Sequence, residues 1–191
     1  MENNKGFTLV EIIGVVVIIG VVMLIAIPAV SEYMISSRKS SYISNVRAFV
    51  ETIRGEYQMK NFGTFLYDDE IMLVPIEAIS LDSGDTTETP FGTYDYEKSY
   101  IAIVPERNTY QYYAYILDSA GYGVVGMPSN AMSKEYLDVR SKNDIVSLMS
   151  FVNYEKKFSI NGKTYEYCEG RDYITENGVS PVKILVLCEE W

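Results

Sequence analysis

The sequence contains no histidine, and its only two cysteines, Cys168 and Cys188, stand near the carboxyl end. Without histidine, the chain can form neither a Cys/His zinc site nor a histidine-dependent catalytic triad. No nucleotide-binding loop, nucleophile elbow or metal-binding helix motif occurs either. The sequence therefore gives no support for an enzyme, and it predicts no cofactor and no metal site.

Charge is missing from one long stretch of the chain. The 19 residues from Ile12 to Val30 include no charged side chain, and nearly all of them are apolar. As a helix they would span about 28 Å, close to the thickness of a bilayer core. A buried helix of a soluble core would normally show a polar face, and this stretch shows none. It is therefore predicted to be a transmembrane helix.

The remaining charge is unevenly distributed. Residues 1–61 carry six basic and five acidic side chains, whereas residues 62–191 carry ten basic and twenty-one acidic ones. This acidic balance argues against a broad nucleic-acid-binding surface. Basic side chains near the span weakly favour a cytoplasmic carboxyl-terminal side, because Arg38 and Lys39 outnumber Lys5.

The amino terminus does not match an ordinary secretory signal. The apolar stretch exceeds the length of a signal-peptide core, and no A-x-A cleavage sequence follows it. A short leader, "MENNKG", ends instead at a Gly6-Phe7 junction. Counted from Phe7, Glu11 is the fifth residue and Pro28 the twenty-second. This arrangement resembles the amino terminus of the type IV pilin and pseudopilin family.

The resemblance implies how the chain is processed. A membrane prepilin peptidase would remove residues 1–6 by cutting between Gly6 and Phe7, and would methylate the new amino group of Phe7. Processing by this peptidase requires the leader to face the cytoplasm and the rest of the chain to lie beyond the membrane. This orientation is opposite to the one that the basic side chains weakly favour.

The resemblance also suggests why Glu11 stands in an apolar segment, where a charge is costly and usually functional. Glu11 would pair with the Phe7 amine of a neighbouring subunit and set the register of assembly. The alternative is a pair between Glu11 and the Phe7 amine of its own chain. Gly20 and Pro28 would mark a stretch that loosens during assembly, or would only permit close packing of helices.

The function implied is that of a structural subunit of a type IV pilus-like extracellular filament, anchored first in the cytoplasmic membrane. Its expected partners are copies of itself and other pilins, the prepilin peptidase, a membrane assembly platform and, before assembly, the lipid bilayer. A pseudopilin of a type II secretion or DNA-uptake system is the close alternative. A single-pass membrane protein with an enzyme or receptor domain is a third interpretation.

Beyond the span the pattern stays helical. An apolar stripe of period 3.6 predicts one helix from about Thr8 to Lys60, whose second half packs on a folded domain. The stripe consists of Tyr42, Val46, Phe49, Val50, Ile53 and Tyr57. The predicted organisation is a leader (1–6), a transmembrane and assembly helix (7–30), an amphipathic helix (31–61) and an extracellular head (62–191).

The head is predicted to complete an α+β, type IV pilin-like fold with an antiparallel sheet. Residues 64–98 read as irregular, and three strands follow as a meander at 99–106, 109–117 and 122–128. A short helix or loop is expected at 141–151, a hairpin around Asn161-Gly162, and a final strand at 181–191.

Three features of the head leave alternatives open. Cys168 and Cys188 fit one disulfide outside the cytoplasm, or two buried free thiols. Many of the chain's seventeen tyrosines stand in the predicted strands, and they fit a half-exposed sheet better than a carbohydrate platform. The acidic run with Asp82, Asp85 and Glu88 lacks the spacing of a calcium loop and is predicted to be solvated.

Overall fold

A computed structural model describes residues 6–58, 66–67, 69–79, 88–107, 109–148, 157–160, 163–166, 172–175 and 178–186. The chain divides into two compact units between Arg38 and Lys39. Cys168 and Cys188 lie outside the described residues, as do Asp82 and Asp85. The disulfide and the acidic loop therefore stay predictions.

Helix α1, Leu9–Gln58, confirms the single long helix predicted from the pattern. In the first unit all large apolar side chains from Phe7 to Ile35 are exposed. Many of them are β-branched and have only moderate helix propensity in water. In lipid, however, a helix satisfies every backbone hydrogen bond within the segment, and this requirement outweighs propensity.

In the second unit α1 buries the predicted apolar stripe. Tyr42, Val46, Phe49, Val50 and Ile53 are at most 1% exposed, and Tyr57 is half-buried. They share one core with the sheet; the Phe49 ring meets the Tyr94 ring edge-on at 5.4 Å. This burial confirms that the second half of the helix is amphipathic.

The sheet of the second unit is antiparallel and has nine strands within the described residues. They are β1 (Glu70–Pro75), β2 (Tyr100–Glu106), β3 (Thr109–Leu117), β4 (Tyr122–Pro128), β5 (Leu137–Val139), β6 (Lys157–Ile160), β7 (Lys163–Glu166), β8 (Asp172–Thr175) and β9 (Gly178–Val186). Their order is β5-β4-β3-β2-β1-β9-β7-β6, and β8 pairs with β9.

The structure confirms the predicted meander as β2, β3 and β4. It also confirms the hairpin, because β6 and β7 pair antiparallel with Ile160 opposite Lys163. Helix α2, Lys142–Leu148, occupies the segment predicted as a short helix or loop. The last strand begins at Gly178, three residues earlier than expected, and the described part ends at Val186.

The prediction that residues 64–98 are irregular was wrong, because β1 lies within them. Its sequence, EIMLVP, shows no alternation of apolar and polar residues, since five of its six positions are buried. A strand covered on both faces loses the period-two signal. The short strands β5 and β8 were likewise not predicted.

A buried carboxylate fixes the turn between β3 and β4. Asp118 is fully buried and accepts hydrogen bonds from the backbone nitrogens of Ala120 and Tyr122, each at 2.9 Å, and from Thr89 Oγ1 at 3.0 Å. Gly121 adopts a φ of +88° in the same turn. A Cβ built on it would lie 2.4 Å from the backbone oxygen of Arg140, so this position accepts only glycine.

Candidate functional site

The Gly6-Phe7 junction lies in non-helical backbone immediately before α1. Phe7 is 85% exposed, and a Cβ placed on Gly6 would meet no atom within 4 Å. Exposed backbone outside regular structure is the kind of segment that proteases cleave. This part of the chain is therefore accessible to a processing enzyme.

Thr8 and Glu11 form the start of the helix. The backbone nitrogen and the hydroxyl of Thr8 both donate to Glu11 Oε2 at 2.8 Å. In return, the Glu11 backbone nitrogen donates to Thr8 Oγ1 at 3.3 Å. The first helical backbone bond runs from the Ile12 nitrogen to the Thr8 oxygen. This reciprocal pair is a capping box, which satisfies backbone donors that a helix start otherwise leaves unpaired.

Thr8 belongs to this candidate site and was not predicted from the sequence. The T-x-x-E spacing of Thr8 and Glu11 before an apolar run is the sequence signature of a capping box. The charge of Glu11 was predicted to matter, whereas its second role as a cap was not predicted.

The Glu11 carboxylate uses its two oxygens differently. Oε2 accepts both bonds from Thr8, whereas Oε1 accepts none from the part of the chain that the structure describes. Phe7 is joined to Gly6 here, so its nitrogen is an amide rather than a charged amine. Neither predicted pair between Glu11 and a Phe7 amine is therefore tested.

The apolar part of α1 is long and apolar enough to cross a membrane. Its most apolar 18-residue window has a mean hydropathy of 3.1, and none of that window is buried. Gly14 and Gly20 have open space where a side chain would stand. Small residues of this kind permit helices to approach closely.

The stretch from Gly20 to Pro28 is helical in this chain. Pro28 has no N–H to donate to the carbonyl one turn earlier, and the Ser31 hydroxyl donates to the Ile27 oxygen at 2.9 Å. Loosening of this stretch during assembly stays a prediction.

No group of three or more Asp, Glu, Cys or His side chains able to hold a metal ion occurs within the described residues. The amino-terminal segment is thus the site on which sequence and structure converge: an accessible junction, a capped helix start with a carboxylate, and an exposed apolar helix.

A family model of the prokaryotic N-terminal methylation motif matches residues 1–27. This motif is the signature of type IV pilins and pseudopilins, and the match confirms the predicted resemblance. The long apolar helix followed by an antiparallel sheet is likewise a pilin-like arrangement. Searches of curated proteins and of solved structures gave no match to the chain.

Proposed function

We propose that this chain, whose first 27 residues carry the methylation motif of type IV pilins and pseudopilins, is a structural subunit of a type IV pilus-like extracellular filament. The observation that carries the proposal is the combination of that motif with an apolar helix exposed along its whole first unit. Such a surface requires lipid or other apolar helices around it. The proposed function of the chain is polymerisation rather than catalysis.

Maturation begins at the accessible junction. A prepilin peptidase cuts between Gly6 and Phe7 and methylates the new amino group of Phe7. Cleavage turns the Phe7 nitrogen from an amide into a cation, and this change creates a charge that the precursor does not have. The precursor therefore lacks the cationic partner that assembly needs.

Glu11 then forms an ion pair with the cationic amine of a neighbouring subunit. Thr8 holds Oε2, so the carboxylate is fixed in position while Oε1 has no bond to a described residue. Opposite charges attract strongly where water is excluded, which favours a pair between Glu11 and the Phe7 amine of the next subunit. That pair sets the axial register of the incoming subunit, and Gly20 and Pro28 lie in the helix that packs against its neighbours.

Before assembly the helix spans the cytoplasmic membrane, with the head (62–191) outside. The partners at this stage are the bilayer, the peptidase and a membrane assembly platform; afterwards they are copies of this chain and other pilins. Pseudopilins share the motif and the helix, and they form short fibres in type II secretion or DNA-uptake systems.

The substitution Glu11→Gln tests the assembly step. Glutamine at this position of a capping box also accepts from the N-cap residue, so the helix start is retained while the charge is lost. The variant should be processed and inserted normally, because removing a charge eases insertion. Filaments sheared from cells should nonetheless fall sharply relative to the membrane pool, as measured by immunoblotting of both fractions.

Wild-type filament yield in Glu11→Gln would refute the intermolecular charge pair. Mass spectrometry of the mature chain addresses processing separately: it should begin at methylated Phe7. A mature chain that starts beyond Val30 would refute the filament proposal as a whole. Long surface fibres in electron micrographs support a pilus, and short fibres confined to the cell envelope support a pseudopilus.

A further inference from the structure

Two basic side chains, Arg38 and Lys39, follow the apolar span and outnumber Lys5 before it. In the proposed orientation they stand on the outer side of the membrane, where basic residues near a span are disfavoured. The proposed function does not explain why the chain keeps them there. Lys39 is half-buried and belongs to the second unit, whereas Arg38 is exposed and ends the first unit.

Arg38 lies close to the end of the apolar surface of α1. Large apolar side chains are exposed from Leu9 as far as Ile35, which is 46% exposed. Arg38 follows Ile35 by ~4.5 Å along the helix axis, at about 1.5 Å per residue. It is the first basic side chain beyond this apolar surface.

The length of α1 places Arg38 at the level of the lipid headgroups. From Glu11 to Arg38 the helix rises ~40 Å, and a bilayer is ~40–45 Å thick when its headgroups are included. With Glu11 at one membrane surface, Arg38 therefore lies at the other. Helical side chains lean toward the amino-terminal end, so the long Arg38 side chain reaches back toward the bilayer.

Tyr33 stands between the uncharged stretch and Arg38. Its side chain is 76% exposed, three residues after Val30. Tyrosine is enriched at membrane–water interfaces, because its ring is apolar and its hydroxyl remains in contact with water. Tyr33 thus matches the interfacial layer, and Arg38 follows it by ~7.5 Å along the helix axis.

The Arg38 guanidinium is uncommitted. Its side chain makes no hydrogen bond or ion pair with any residue that the structure describes. Glu32 is six positions away, which is not a contact spacing on a helix. The residues at the contact spacings of three and four positions are not acidic; they are Met34, Ile35, Ser41 and Tyr42.

We propose that Arg38 binds the phosphodiester of a phospholipid headgroup at the outer membrane surface and thereby fixes the depth of the unassembled subunit. The inference rests on the proposed function, because it requires the helix to span the membrane. A guanidinium matches phosphate oxygens with two parallel hydrogen bonds. An acidic side chain of a second copy is less favoured, since the apolar surface that ends at Ile35 needs lipid around it before assembly. Entry into a filament then requires the phosphate contact to break.

Tryptophan fluorescence measures the depth of the helix. Tyr33→Trp is combined with Trp191→Phe, which removes the only tryptophan of the sequence. The full chain is reconstituted in vesicles of phosphatidylethanolamine and phosphatidylglycerol, whose acyl chains are brominated either near the headgroup or near the terminal methyl. Bromine near the headgroup should quench the new tryptophan strongly, and bromine near the terminal methyl should quench it weakly.

Solid-state NMR tests the phosphate contact itself. Arginine is labelled with ¹³C at Cζ, and dephasing of its signal by the lipid ³¹P detects a guanidinium beside a phosphate. The sequence has six arginines, so about one sixth of the signal should dephase. Arg38→Gln should abolish this dephasing. Arg47→Gln is the matched control, because Arg47 is also exposed on α1 but belongs to the second unit; the dephased signal should remain.

The two measurements separate this inference from the proposed function. Absence of quenching by either lipid would show that the helix does not enter the bilayer, and would overturn both. Quenching near the headgroup without dephasing would overturn the phosphate contact alone. Dephasing that persists in Arg38→Gln would do the same, because it would assign the contact to another arginine. Stronger quenching near the terminal methyl would overturn the depth on which the inference depends.

Discussion

Thr8 and Glu11 bind each other in both directions at the first turn of α1: two hydrogen bonds of 2.8 Å run from Thr8 to Glu11 Oε2, and one of 3.3 Å returns to Thr8 Oγ1. The carboxylate that the proposed assembly uses is therefore also part of the helix start. One side chain thus links the local structure of the precursor to the proposed register of the filament.

Thr8→Val should lower filament yield without removing any charge. Valine cannot donate to Glu11 or accept from its backbone nitrogen, and loss of an N-cap side chain costs about 1 kcal/mol. The Glu11 carboxylate would then lose its fixed position. Thr8→Ser keeps the hydroxyl and should assemble like the wild type. The ratio of sheared filaments to membrane-bound mature chain measures both variants, and equal ratios for valine and serine would show that the cap does not position Glu11.

Gly121→Ala should destabilise the second unit by about 2 kcal/mol, because an alanine at φ +88° is strained and its Cβ would meet the Arg140 oxygen. Gly55→Ala is the control within the same chain. Gly55 lies in α1 with open space around it, so alanine there should stabilise by about 1 kcal/mol. Urea unfolding midpoints in micelles measure both. A neutral Gly121→Ala would mean that the β3–β4 turn rearranges at little cost.

Stability should fall between about pH 10 and pH 12. Burial raises the pKa of the Tyr94 hydroxyl from its ordinary 10.0 to about 12; the bond from Asn45 Nδ2 opposes this shift, and the Asp118 carboxylate adds to it. Above pH 10 the unfolded chain loses this proton while the folded chain keeps it. The stabilisation is thus complete below pH 10 and declines through pH 12, by up to about 1.4 kcal/mol per pH unit for one such group.

Urea midpoints at a series of alkaline pH values check this decline. Tyr94→Phe should make it shallower, because one titrating group is removed. Midpoints that stay constant up to pH 12 would contradict the prediction.

A disulfide between Cys168 and Cys188 stays a prediction. Strands β7 and β9 are neighbours, with Glu166 opposite Val186, as the bridge requires. Because these strands are antiparallel, the chain must turn after Glu166 for Cys168 to reach Cys188. The bridge would close a loop of about 20 residues and contribute about 3 kcal/mol. Thiol titration of the unfolded, unreduced chain should find no free sulfhydryl, and finding two would favour free thiols.

The sequence predicted those elements whose side chains meet two different environments. In the second half of α1, side chains alternate between core and water with the helical period. The burial of the stripe from Tyr42 to Tyr57 was therefore predicted correctly. The meander from Tyr100 to Pro128 is rich in β-branched and aromatic residues between clear turns. The amino-terminal motif was predicted because its residues act at fixed spacings that do not depend on the rest of the fold.

Elements defined by distant parts of the chain were not predicted. Strand β1 is buried on both faces, so its sequence carries no alternation, and its neighbours come from later segments. The bond from Thr89 Oγ1 to the Asp118 carboxylate was not predicted either, because the two residues stand 29 positions apart in the sequence. Such sites depend on tertiary pairing.

The position of β1 between β2 and β9 also constrains the order in which the chain can fold. Ile71 pairs with Leu185, more than 100 residues further along the chain. During amino-to-carboxyl synthesis, β1 cannot receive this partner until almost the entire sequence has emerged, and contacts so distant in sequence form slowly. Until then one edge of β1 offers unpaired backbone groups to any other strand. Incomplete chains are therefore most prone to pair with one another just before β9 arrives, and the proposed membrane anchor would hold them at high local concentration.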